Sequence, residues 1–138
     1  MEWRDSIYWR SMARRCLESK ILNSDKFTNL PITSQILYIF LNLEADNYGF
    51  IGNTKNIIKQ INGASSNDLE NLIEEGFILK LSKDVFCITH WFIHNKEDKR
   101  LEPIFQEYNL VEIKNKQYVL KPNAIIDDGK YHYLPSDY

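Results

Sequence analysis

Apolar residues recur at helical spacing in three stretches, with turn-forming residues between them. After Leu30-Pro31, the residues Ile36, Leu37, Phe40, Leu41 and Leu43 follow at intervals of three and four or close to them, which predicts a helix buried along that stripe. Thr33 or Ser34 is its expected N-cap, and Asp46-Asn47 with Gly49 its stop. Gly49-Phe50-Ile51 leaves room for only a short strand. Thr54 is expected to cap a second helix with Ile57, Ile58 and Ile61 inward and Asn62-Gly63 as its stop. Ser65 or Ser66 opens a third, with Leu69, Leu72 and Ile73 inward and Gly76 beyond its end. Phe77 to Leu81 and Val85 to Trp91 read as paired strands around the turn Ser82-Lys83-Asp84.

Helix, short strand, helix, helix, hairpin is the order of a winged helix-turn-helix, and the link from Asn62 to Ser65 is as short as that motif requires. The fold class expected is therefore α+β: a winged-helix core over residues 30–95, preceded by an arm over residues 1–29 and followed by a small α/β extension over residues 96–138. In the arm, Trp3, Ile7 and Arg10, and likewise Tyr8 and Met12, fall at helical spacing, with Asn23-Ser24-Asp25 as a turn. In the extension, the charged run Lys96 to Arg100 reads as a linker or exposed helix start, and Leu101 to Tyr108 as a helix. Leu110–Ile113 and Gln117–Leu120 read as strands around Lys114-Asn115-Lys116, and Asp128-Gly129 as a hairpin turn between Ala124–Ile126 and Tyr131–Tyr133.

Composition narrows the function classes without choosing one. The 138 residues are 43% hydrophobic and 13% aromatic, enough to bury a core without staples. Net charge is −2, whereas a dedicated duplex binder usually carries a basic surplus. Residues 32–91 hold four lysines or arginines against seven aspartates or glutamates, so the best core region is the acidic one. Cys16 and Cys87 form no CxxC pair, and reduced thiols in a cytoplasm are the simple reading. No signal peptide or membrane span is read, since Ile36 to Leu43 is too short and the first twenty residues are punctuated by arginines.

Pieces of the sequence from Ile21 to Asn95 carry a resemblance. They are Ser24-Asp25-Lys26-Phe27; Leu30-Pro31 followed by Ser34-Gln35 and Leu37-Tyr38; Ala45-Asp46 with Gly49-Phe50; Asn67-Asp68-Leu69; Leu72-Ile73 with Gly76-Phe77-Ile78; and His90-Trp91 with His94-Asn95. In this order and spacing they resemble the amino-terminal domain of phage DnaD-like replisome organisers. The resemblance implies a winged helix used for DNA contact or self-association at replication initiation, in a bacterial host cytoplasm. It also implies that Trp91 packs under the wing while His90 and Asn95 make hydrogen bonds that end the hairpin. The longer members' carboxy-terminal DNA-binding or loader-contacting region is not expected in full here.

A DNA-reading winged helix places its third helix in the major groove. Opposite Leu69, Leu72 and Ile73, that helix offers Asn67, Glu70, Asn71 and Glu74. The asparagines suit adenine edges, but the glutamates repel phosphates. Basic candidates lie around it: Lys55 and Lys59 on the second helix, Lys80 and Lys83 at the wing, Lys96, Lys99 and Arg100 beyond it, and Arg14 near the start. One expectation is a non-enzymatic DNA-binding accessory using the wing and flanking basic residues, on duplex or single-stranded DNA. The other is a protein-interaction module, such as a phage modulator of a host protein, acting through Glu70 and Glu74. The amino-terminal Trp3 and Trp9 suit a homodimer contact. Cys87, His90 and His94 lack a fourth ligand for a metal site, no cofactor motif is written, and no catalytic motif points to an enzyme.

Overall fold

The computed structural model describes residues 15–122, 124–127 and 130–133. Trp3, Trp9 and Arg14, with the expected amino-terminal helix, and the Asp128-Gly129 turn lie outside the described residues. The protein is a small mixed α+β domain, and among the described residues no helix is long and apolar enough to cross a membrane.

Two one-turn helices lead in, α1 (Ser19–Leu22) and α2 (Asp25–Thr28). Ser24 caps α2, and Phe27 carries it into the core, edge-on to Tyr38 and Phe77 at 5.3 and 5.5 Å between ring centroids. The long helix α3 (Ile32–Glu44) follows. Its buried stripe is Ser34, Leu37, Tyr38, Leu41, Asn42 and Ala45, rotated from the expected one: Leu37 and Leu41 are inside, Ile36 and Phe40 are only partly buried, and Leu43 is 51% exposed. The rotation follows from hydrogen bonding, because each polar member finds a partner inside. Asn42 Nδ2 donates to the Tyr38 carbonyl at 2.9 Å, Tyr38 Oη meets His94 at 2.6 Å, and Ser34 Oγ donates to Asp68 at 2.7 Å. A buried hydroxyl with a partner costs little, so apolarity alone misplaces the face. Thr33 and Ser34 accordingly do not cap α3. The N-cap position is Pro31, which has no side-chain bond to offer.

Beyond α3 come β1 (Phe50–Ile51), α4 (Thr54–Lys59), α5 (Ser66–Glu74), β2 (Ile78–Lys80) and β3 (Phe86–Ile88). Thr54 is buried inside α4 and is not its cap; Asn53 takes that position with φ 56°. The three strands form one antiparallel sheet in the order β1-β3-β2, with Phe50 opposite Cys87 and Leu79 opposite the same Cys87. The strand expected to reach Trp91 ends at Ile88. Trp91 instead opens the single turn α6 (Trp91–His94), its indole N–H donating to the Asn47 carbonyl at 3.2 Å.

The expected helix from Leu101 is only a 3-10 turn over Gln106–Leu110. Pro103 accounts for this, since it lacks an N–H and pushes the preceding residue out of helical conformation. The hairpin β4 (Val111–Lys114) and β5 (Gln117–Leu120) turns through Asn115 and Lys116, whose φ values of 52° and 63° are those of a type I′ turn. A last antiparallel pair joins β6 (Ala124–Asp127) and β7 (Lys130–Tyr133). One hydrophobic cluster runs from Phe27 through α3 and the sheet to Leu110, Val111 and Tyr118, so residues on both sides of positions 30 and 95 share it. Tyr118 Oη donates to the Tyr48 carbonyl at 2.6 Å, and Tyr118 N–H to the Thr89 carbonyl at 2.9 Å.

Gly49 is where this packing is tightest. Its φ is +85°, and a Cβ there would stand 2.6 Å from Cγ of Trp91, which is 2% exposed and has nowhere to go. Gly76 has φ +82° but nothing within 4 Å of a Cβ. Gly49→Ala should therefore lose roughly 3 kcal/mol in urea titrations, against about 1 kcal/mol for Gly76→Ala. Equal losses would show that the Trp91 contact is not what requires glycine.

Candidate nucleic-acid interface

Helix α5 is fixed before it can present anything. Ser65 N-caps it, and Asp68 completes a capping box by accepting from the Ser65 N–H at 2.9 Å. The other oxygen of Asp68 accepts the hydroxyls of Thr33 and Ser34, both at 2.7 Å, from the start of α3. Asp68 is 5% exposed. Burial pushes its carboxyl upward, but the bonds from Ser34, Thr33 and the Ser65 backbone outweigh this and hold it below the usual carboxylate range.

That arrangement decides which side chains of α5 face outward. Asn71 Nδ2 donates to Ser34 Oγ at 3.1 Å, so Asn71 is turned toward α3 and does not face a groove with Asn67, as the helical projection expects. Asn67, Glu70 and Glu74 are exposed. Beside them opens a groove of about 330 Å³ whose lining includes Asp25, Glu74 and Glu75 against the one cation Lys26. Three carboxylates at the edge of the helix repel a phosphate backbone.

The expected cations are scattered. Lys55 and Lys59 are exposed on α4, four apart and hence on one face. Lys80 is half-buried in β2, and Lys83 is exposed in the turn before β3. Lys99 is exposed. The Arg100 guanidinium lies on Asp98, with Nε and Nη2 at 3.0 and 2.9 Å from its two oxygens, which holds the Asp98 carboxyl below its usual range.

Lys96 alone of these joins a cleft, of about 690 Å³, where it meets Arg15 and Lys116. Periodicity does not single out either partner. Lys116 reaches the cleft only because the β4–β5 turn packs near α6, and Arg15 because residues 15–18 lie across α3 and α6. Arg15 Nη2 donates to the Ala45 carbonyl at 2.8 Å, with the guanidinium 5.4 Å from the Trp91 ring centre. Cys16 N–H donates to Asn95 Oδ1 at 3.0 Å, and Glu18 N–H to His94 Nδ1 at 2.8 Å.

His94 is the hub of that docking. Because Nδ1 accepts from a backbone N–H, the ring proton belongs on Nε2, which meets Tyr38 Oη. Burial first, and then neighbouring His90, bring its pKa down to about 4 against the opposing charge of Glu18. His94 and Asn95, rather than His90 and Asn95, make the bonds that follow the hairpin. His90 tilts against Phe77, and its buried Nδ1 has no hydrogen-bond partner among the described residues. Cys87 is enclosed at the centre of the sheet, where burial drives its thiol pKa far up. No group of three His, Cys, Asp or Glu that could hold a metal occurs among the described residues.

Two outcomes follow. Asp68→Ala strands the buried Ser34 hydroxyl, the half-buried Thr33 hydroxyl and a backbone N–H, and should cost roughly 3 kcal/mol in denaturant unfolding; a loss no larger than that of Asn67→Ala would sink the lock. For His94, between pH 6.5 and about 4 the unfolded chain binds a proton that the folded chain refuses. Its contribution is complete above pH 6.5 and is lost as the pH falls toward 4, on the order of 2 kcal/mol. The stability difference between wild type and His94→Gln should therefore narrow as the pH falls across this window, and a pH-independent difference would contradict the assignment.

No family model, curated protein or solved structure matches the chain, and its functional reading rests on these residues and their geometry.

Proposed function

We propose that this chain is a winged-helix protein of the kind found at the amino terminus of DnaD-like replisome organisers, a phage-encoded, non-enzymatic accessory of replication initiation that contacts DNA. The observation that carries the fold reading is the connectivity. α3, β1, α4, α5, β2 and β3 follow in that order, and β1 pairs with β3 rather than with β2. In a winged helix that is the helix-turn-helix with its three-stranded sheet. α5 then takes the place of the recognition helix, and the β2–β3 hairpin that of the wing.

The contacts proposed are not those of base reading by α5. With Asn71 turned inward and Glu70 and Glu74 outward, DNA is held along its backbone by Lys80 and Lys83 of the wing, with the exposed Lys55, Lys59 and Lys99 as further contacts. Such binding is weakly sequence-dependent and strongly salt-dependent. A second reading is favoured by the acidic edge of α5: Glu74, Glu75 and Asp25 around one groove suit a basic protein partner, as expected of a phage modulator of a host protein.

Fluorescence anisotropy with labelled duplex and single-stranded DNA across a salt series separates the two. The proposal expects binding that falls steeply with salt, a lower salt slope in Lys80→Glu/Lys83→Glu, and about tenfold weaker affinity in that variant. Absence of binding at low salt would overturn it and leave the protein-partner reading.

A further inference from the structure

The 690 Å³ cleft beside α6 differs from the wing in its chemistry. The apolar part of its lining, its floor, is Phe92, Ile93 and the exposed Leu101, set beside the polar Asn47, His94 and Asn95. Its rim is cationic, from Lys96 and Lys116, with Arg15 in the wall. The single carboxylate, Asp98, is already matched by Arg100. The volume lies within the range of sites that enclose ligands. The walls are also set in advance: residues 15–18 are pinned by the bonds to Ala45, Asn95 and His94, so little ordering is needed on binding.

We propose that this cleft docks an extended peptide segment of a partner protein in which acidic and apolar residues alternate. The apolar floor takes the hydrophobic side chains, and the lysines take the carboxylates. A nucleic-acid strand shares the negative charge but needs open aromatic faces for its bases, worth about 1–3 kcal/mol each. None is offered here. Trp91 is enclosed, with Arg15 over its ring, and Phe92 is spent on Tyr48 and Tyr118 at centroid distances of 6.1 and 5.5 Å. The site is separate from the wing, so it stands whether or not the wing binds DNA.

The test uses the full chain and a fluorescein-labelled hexapeptide, Leu-Asp-Phe-Glu-Leu-Asp, followed by anisotropy. Saturable binding is expected. It should weaken at least about tenfold for a peptide with Asn and Gln in place of the acids, and likewise for one with Ser in place of Leu and Phe. Lys96→Glu/Lys116→Asp should weaken it similarly; both residues are exposed, and Asp tolerates the positive φ at position 116. Leu101→Ser tests the floor, and Lys26→Glu on α2, outside the cleft, should leave binding within about twofold. Melting curves confirm that the variants fold. Binding indifferent to Lys96 and Lys116, or to loss of the apolar side chains, overturns the proposal. So does a result in which a ten-nucleotide oligo-dT, and not the peptide, binds with dependence on those lysines, which would make the cleft a nucleic-acid site.

Discussion

The packing of α3 against α5 depends on one buried carboxylate, that of Asp68. It takes hydrogen bonds from the first turn of α3 and from the backbone that opens α5, so a single side chain fixes both the start of one helix and its packing on another. A buried anion with three donors is stable where an unpaired one is not, because desolvation is offset bond by bond. It also determines what α5 can show to solvent. Once Ser34 is committed to Asp68, Asn71 is drawn into the same network, and the exposed side of the helix is left with carboxylates.

A second set of buried polar contacts gathers the rest of the chain around α6. Gly49 lets Trp91 lie against the backbone, and Tyr118 of the β4–β5 hairpin closes over the same loop through the Tyr48 carbonyl. Tyr48 in turn donates to the Leu101 carbonyl at 2.7 Å. On the other side His94 receives the Glu18 N–H. Segments from before α1, from the sheet and from the β4–β5 hairpin therefore meet at one turn of helix. Each relies on a specific donor or acceptor there rather than on apolar area alone.

Much of the fold was legible in the sequence. The three helices, the capping Ser65, the short strand at Phe50 and the hairpin turn at Ser82 to Asp84 follow from periodicity and turn chemistry, which are local. What was misread has a common cause. Ser34, Tyr38 and Asn42 are inward because their partners are 34 or more residues away, or one helical turn back, and a hydropathy pattern assigns polar residues outward. Trp91 looked like strand because aromatics favour strands, whereas its indole is claimed by Asn47. The helix from Leu101 was overread by counting apolar residues and passing over Pro103. Apart from the half-buried Lys80, the candidate lysines were legible as exposed, but their grouping was not. Lys96 meets Lys116 and Arg15 through tertiary packing across some hundred residues of chain.

The charge distribution that results bears on how such a fold can be used. Arg15, Lys96 and Lys116 gather cations at the cleft by α6, while the edge of α5 with α2 carries anions in Asp25, Glu74 and Glu75. In a winged helix that reads base sequence, the recognition helix has to approach the phosphates on either side of the groove, and Glu70 and Glu74 act against that approach whatever else the surface does. A backbone contact through the wing does not require α5 to enter the groove at all. The inward turn of Asn71 and the outward carboxylates are thus compatible with DNA contact only in a sequence-tolerant form, and they leave α5 and the cleft by α6 available to proteins.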